Sequence, residues 1–388
     1  MKLAGTRVVD LTLFLPGPYL TMTLADHGAE VIKVEPPDGG DPTRRIGPRQ
    51  GAESVYFRNV NRGKKSVVLD LKRQDAREAL LQLIETSDIV VESFRPGVAE
   101  RLGFGWDAIR ARAPRVVHCS ISAFGQAGRL RGRPAHDLSI EAMAGVLSLG
   151  RGRDGAPGMP GLPAADMAGS LTALAGILMA LLRARETGRG DHLDLAMHDA
   201  VLAWTLHATG PVFADGRAPD PAADRLLGGA ALYALYETAD GRWLALGGAE
   251  MKFATTLLTA LGRPDLVDLC RLPAGEAQRP VTEFLSATFR GRPLDEWLAF
   301  LDGRDVCYAP VLDLAEVFAS EHVREREMRL RDAAGHDHVG VPIRFADEPA
   351  RPGLDAPALG ADGEAVLGEL GYGPAEVAAM AGTVQPTR

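Results

Sequence analysis

Five short β-rich, mainly apolar runs in the first 125 residues constrain this chain most. They lie at 7–11, 30–35, 66–71, 88–92 and 115–122. Each is too short for a helix, and none alternates as a strand with one wet face would. Helical patterns fill the gaps at 18–27, behind the Pro16-Gly17-Pro18 turn, and at 74–86. Strands buried on both faces and separated by helices predict an α/β fold with a parallel sheet under a helical cover.

Further along, the pattern changes. Residues from 130 to 163 are loop-rich, with Arg131, Arg133, Arg151 and Arg153 among glycines. The longest apolar run, 167–182, is rich in Gly and Ala. It falls short of the roughly 20 residues of a membrane span, and its small residues predict a buried helix over 167–184. A strand at 191–197 and a helix at 199–209 follow, then a linker-like stretch at 211–227. Composition restarts with two strand patterns, 231–237 and 243–247, around the hairpin turn Ala239-Asp240-Gly241. Helical regions are expected at 253–261 and 281–300, a strand at 339–345 and a helix at 363–370. The expected division is a large domain at 1–210, a linker at 211–227, a small α+β domain at 228–315 and a return segment at 316–388. The parallel sheet of the large domain is expected to draw on both the N- and C-terminal parts.

Composition narrows the function classes. The 388 residues carry 43 Lys and Arg against 51 Asp and Glu, a net charge of −8. An acidic chain without basic residues interleaved with aromatics argues against nucleic acid and anionic membranes as partners. Cys119, Cys270 and Cys307 are too sparse for a disulfide framework or a metal site, and fit a reducing cytoplasm. No signal-peptide pattern opens the sequence, since the apolar stretch 11–20 is broken at Pro16-Gly17-Pro18. The first strand–turn–helix lacks the G-x-G-x-x-G fingerprint, and no Walker-type loop is present.

Three groups are candidates for chemistry. Asp166 directly precedes the apolar helix, where it is either an N-cap or a carboxylate whose pKa the helix end tunes. His136 lies in a turn-like Arg133-Pro134-Ala135-His136-Asp137 stretch, as a surface group or as an acid–base near neutral pH. Glu250 follows the 243–247 strand, as a solvated loop carboxylate or a polarising group. Arg95 follows a strand end, where ligands collect in open α/β sheets. Arg62, Lys64 and Lys65 precede another strand and are surface charges or phosphate partners. His192, His198 and His207 are spaced by 6 and 9 residues and do not share a helical face. No metal site is expected.

Seven ordered blocks resemble the class III CoA-transferase superfamily (the CaiB/BaiF type), which also contains α-methylacyl-CoA racemase. They are V-V-D-L…P-G-P-Y…L-A-D-H-G-A-E-V-I-K-V-E-P within 8–36, N-R-G-K-K-S-V-V-L-D-L-K at 61–72 and S-F-R-P-G-V at 93–98. R-V-V-H-C-S-I-S-A-F-G-Q at 115–126, A-A-D-M-A-G-S at 164–170 and T-G-R-G-D-H-L-D-L-A-M-H-D-A at 187–200 continue the match. Asp305-Val306-Cys307-Tyr308-Ala309-Pro310-Val311 adds a racemase-like segment.

The resemblance implies a Rossmann-like large domain, an interlocked homodimer and an acyl-CoA substrate, with coenzyme A arriving as part of that substrate and no tightly bound cofactor. It offers two chemistries for Asp166. In transferases that aspartate attacks the thioester and forms a mixed anhydride. In racemases it exchanges protons with a histidine thirty residues earlier, which is His136 here. Gly248-Ala249-Glu250-Met251-Lys252-Phe253 resembles a racemase motif and gives Glu250 an orienting role toward the imidazole. The same resemblance makes Lys33, Lys65 and Arg95 candidates for the nucleotide phosphates. It places Tyr233, Gly228 and Gly229 near the substrate, with backbone N–H groups at the start of the Asp166 helix holding an enolate oxygen. Ala135, Leu162 and the loop 41–61 depart from the racemase pattern, and Pro163-Ala164-Ala165-Asp166-Met167 reads more like a transferase. The histidine tips the expectation toward epimerisation of a 2-methylacyl-CoA, with CoA transfer as the alternative. A non-catalytic acyl-CoA-binding protein would have no need of His136, Asp166 and Glu250 together.

Overall fold

The computed structural model describes residues 1–150 and 155–382, which form two compact units. The first takes 1–144, 162–204 and 321–388; the second takes 145–161 and 205–320. Arg151 and Arg153 lie outside the described residues.

The first unit opens with β1 (Arg7–Leu11), α1 (Pro16–Asp26) and β2 (Glu30–Glu35). A two-residue hairpin of β3 (Arg49–Gln50) and β4 (Glu53–Ser54) leads into α2 (Val55–Asn61) and β5 (Lys65–Val68). Then come α3 (Gln74–Glu85), β6 (Ile89–Glu92), α4 (Val98–Leu102), α5 (Trp106–Arg112) and β7 (Val117–Ser122). Helices α6 (Asp137–Met143) and α7 (Ala164–Thr187) precede β8 (His192–Ala196) and α8 (Met197–Ala203). Six strands form one sheet in the order β5-β2-β1-β6-β7-β8, every pair parallel. The strand order reverses between β1 and β6, and open α/β sheets hold ligands beyond the carboxyl ends at such a point.

All six strands lie within residues 7–196, which corrects the expectation that the C-terminal part adds to the sheet. That part contributes helices α15 (Gly363–Gly368) and α16 (Pro374–Ala381), whose Val366, Leu367, Val377 and Met380 join the core with Leu80 and Leu83 of α3. Asp362 accepts the Ser66 N–H at 2.8 Å and so closes the free edge of β5. The strand expected at 339–345 is shorter and earlier: β13 (Asp337–Val339) pairs with β12 (Arg329–Arg331), behind α14 (Glu321–Glu325). Pro342 supplies no N–H to a ladder, so pairing stops before it.

Helix α7 is long and apolar enough to cross a membrane by length and composition. Here it packs on β7, β8, α1, α6 and α8. Its small residues let it approach closely: a Cβ on Gly176 would come within 2.6 Å of Leu193 Cδ2.

The second unit has α9 (Gly210–Asp215), within the stretch expected as a linker, and a three-stranded antiparallel sheet. The sheet contains β9 (Tyr233–Glu237), β10 (Trp243–Gly247) and β11 (Tyr308–Pro310). Gly241, at φ +75°, makes the turn between β9 and β10. Helix α10 (Met251–Ala260) follows. The helix expected over 281–300 is two, α11 (Arg279–Phe289) and α12 (Leu294–Leu301), because Gly291 and Pro293 interrupt it. Their apolar faces cover the sheet through Leu257, Leu285, Phe289 and Trp297, and α13 (Leu314–Ala319) closes the unit.

Candidate active site

Asp166 is not the N-cap of α7. Pro163 holds that position, and Asp166 is the third helical residue. The orphan donors of the first turn are taken by carboxylates of α6. Ala164 N–H donates to Glu141 Oε1 at 2.8 Å. Ala165 N–H and Asp166 N–H both donate to Asp137 Oδ1, at 2.9 and 3.0 Å. Met167 N–H goes to Pro163 O. The expectation that these N–H groups hold an enolate oxygen is therefore corrected: the fold has already used them.

The same packing sets the Asp166 charge. Burial first, and then the like charges of Asp137 and Glu141, push its carboxyl up to about 7. Burial likewise raises Glu141. Tyr56 of α2 also feels the Asp166 charge. Burial, with Asp166 and Asp41 nearby, pushes its phenol up to about 12 and keeps it protonated.

His136 precedes α6 in extended conformation, as a residue behind Pro134 can. Ser139 Oγ fixes its backbone by accepting its N–H at 3.1 Å and donating to its carbonyl at 2.7 Å. The side chain is exposed, and its ring meets the edge of Phe14 with centroids 6.0 Å apart. His136 is linked to the start of α7 through its neighbour Asp137, whose carboxylate accepts the Asp166 N–H.

Beneath them lies a buried ionic network at the carboxyl ends of β1 and β2. Lys64 Nζ is 2.9 Å from Asp10 Oδ2 and Lys33 Nζ is 3.0 Å from Asp41 Oδ2, with all four side chains fully buried. Burial alone would raise Asp10, but Lys64 and Lys33 outweigh it and hold the carboxyl below its usual range. Glu35 pairs with Arg44 at 2.6 Å and accepts from Ser66 Oγ at 2.7 Å.

This network corrects the first phosphate candidate. Lys33 is sealed inside, donating also to Thr12 O at 2.7 Å, and has no face for a phosphate. Lys65 opens β5 at the amino edge of the sheet, bound to Glu30 at 2.5 Å, on the edge opposite Arg95. Arg62 and Lys64 are likewise internal, Arg62 gripping Asp26 through two nitrogens. Arg95 is exposed in the loop after β6, at the point of strand-order reversal. Under it Glu92 accepts the Phe94 N–H at 2.6 Å, and burial pushes its carboxyl up to about 7.

Glu250, Tyr233, Gly228 and Gly229 belong to the second unit. Glu250 is exposed at the N-cap of α10, and Tyr233 opens β9. Gly228 holds φ +100°, and a Cβ on Gly229 would come within 2.7 Å of Ala222 O. His192 stacks on His118 at 4.8 Å and on Trp106 at 5.6 Å, a packing role.

Sequence reading passed over Asp137, Glu141, Tyr56 and Phe14. Asp137 and Glu141 sit four apart on one helix, the spacing that puts two carboxylates on one face. That signal was present, but not the helix they would face.

CoA-transferase family III matches residues 3–363. Acetyl-CoA:oxalate CoA-transferase of Acetobacter aceti is 34% identical over 94% of this chain and 95% of its own. Alpha-methylacyl-CoA racemase of Mus musculus is 32% identical over 97% and 95%. The crystal structure of a CaiB/BaiF family protein from Brucella suis superposes with a TM-score of 0.82 at 30% identity, covering 95% of this chain and 99% of that one.

Proposed function

This chain belongs to CoA-transferase family III, and from that premise we propose that it epimerises the α-carbon of a 2-methylacyl-CoA. One member of the His136/Asp166 pair takes the α-proton and the C–H electrons move toward the thioester oxygen. The other member returns a proton to the opposite face. The observation that carries this reading is the packing of α6 on the start of α7: Asp137, next to the exposed His136, accepts the Asp166 N–H, and burial with the nearby carboxylates pushes the Asp166 carboxyl up to about 7. A proton shuttle works best with pKa values near the working pH, whereas a nucleophilic carboxylate must be ionised. Glu250 is the third candidate for the catalytic set, and Arg95 is the remaining candidate for a CoA phosphate.

A second reading is CoA transfer through an aspartyl-acyl anhydride on Asp166. The likeness to the Acetobacter aceti transferase over nearly the whole chain favours it. A homodimer is part of both readings. Leu171, Met179 and Leu182 lie exposed along α7, an apolar stripe of the kind a second copy would cover.

The test is chiral chromatography of one epimer of a 2-methylacyl-CoA incubated without a carboxylate acceptor. Conversion toward the racemate supports epimerisation. No inversion, with an acyl group on Asp166 released by hydroxylamine, would establish the transfer reading instead.

A further inference from the structure

We propose that Phe14 is a specificity-determining residue, a strained aromatic wall that limits the acyl group presented to His136 and Asp166. This rests on the acyl-CoA reading above.

Phe14 has φ 66°, and among the described residues only Glu327 is another non-glycine in the left-handed region. A phenylalanine pays a steric penalty there, so such a conformation persists only where the surroundings impose it. They do so on every side of the loop 12–16. Lys33 Nζ donates to Thr12 O at 2.7 Å. Ser93 Oγ accepts the Leu13 N–H, and Asp41 Oδ1 accepts the Phe14 N–H, both at 3.3 Å. Pro16 O accepts from Ser170 Oγ at 2.6 Å, and the same hydroxyl bonds Asp166 O at 2.8 Å. The loop is thereby tied to the α7 turn that carries Asp166. Gly17 is pressed so close that a Cβ would lie 2.3 Å from the Thr12 side chain.

The strain has a visible result. It turns a large apolar ring out of the core, 38% exposed, and sets its edge against the His136 ring. A phenylalanine free to relax would gain by turning inward. Held outward, it occupies the space beside the imidazole, where the acyl chain must lie if its α-carbon is to reach His136. A short acyl group fits beside the ring; a long one meets it.

The test uses Phe14→Gly, which removes the ring and relieves the backbone, and Phe14→Leu, which keeps the strain and trims the wall. Dissociation constants are measured by titration calorimetry for acetyl-CoA, 2-methylpropanoyl-CoA and decanoyl-CoA, with melting temperatures alongside. The expected result is a melting temperature for Phe14→Gly equal to or above that of the parent. The ratio of decanoyl-CoA to acetyl-CoA dissociation constants falls at least tenfold, with a smaller fall for Phe14→Leu. An unchanged ratio in folded Phe14→Gly overturns the proposal, as does a parent protein that binds none of the three esters. Loss of turnover with every ester would sink the catalytic reading alone, because the binding ratio still reports on Phe14.

Discussion

The Asp137 carboxylate accepts the backbone N–H of Asp166 at 3.0 Å, so the group that starts α7 also faces the candidate catalytic carboxyl. One side chain does two jobs: it completes the first helical turn and places a negative charge beside Asp166. The positive end of the helix is thereby offset from within.

Asp137→Asn separates the two jobs. The amide oxygen still accepts the N–H bonds, but the charge is gone. With one like charge removed, the Asp166 pKa falls, and the limb of kcat/KM against pH that it controls moves to lower pH by about one unit. A pH–rate profile checks this. Asp137→Ala loses the cap as well and costs about 1 kcal/mol of stability.

Asp166→Asn tests the same electrostatics through stability. The folded-state pKa of Asp166 lies above its unfolded value, so the fold favours the neutral acid. That contribution is full below about pH 4 and is lost as pH rises through about 7. The asparagine variant is expected to match the parent near pH 4 and to exceed it by roughly 1–3 kcal/mol at pH 8. Urea unfolding at the two pH values measures the difference.

The two lysines expected on phosphates should behave in opposite ways. Lys33→Met strands the buried Asp41 and Asp10 and costs about 3–5 kcal/mol in urea unfolding. Lys65→Met removes an ion pair that is about 40% exposed and costs less than about 1 kcal/mol. Comparing the two denaturation midpoints distinguishes them.

Arg95→Ala is expected to leave unfolding within about 0.5 kcal/mol of the parent, as an exposed loop position should. It should weaken CoA binding about tenfold, the loss of one charge-assisted phosphate contact. Calorimetric titration with free CoA reads this directly.

Much of the fold was legible because strand runs such as 7–11 and 30–35 are short, rich in Val, Ile and Leu and do not alternate, a pattern that parallel burial produces. The helix break at Gly291 and Pro293 was missed: the long apolar pattern around those residues suggested one helix over 281–300. The active-site supports were not legible, for a physical reason. Asp137 and Glu141 act on Asp166 across a gap of more than twenty residues, and only the packing of α6 on α7 brings them there. Lys33 misled in the opposite direction. The resemblance made it a phosphate candidate, while its partner Asp41 lies in a loop whose path the sequence does not show.

Deuterium incorporation is the most direct test of proton transfer between His136 and Asp166. The protein is incubated with each epimer of a 2-methylacyl-CoA in deuterated water, without a carboxylate acceptor, and the α-carbon is followed by mass spectrometry. The account predicts one deuterium at the α-carbon from either epimer, and loss of inversion in both His136→Ala and Asp166→Asn. No deuterium in the parent, or inversion at the parent rate in His136→Ala, would contradict it.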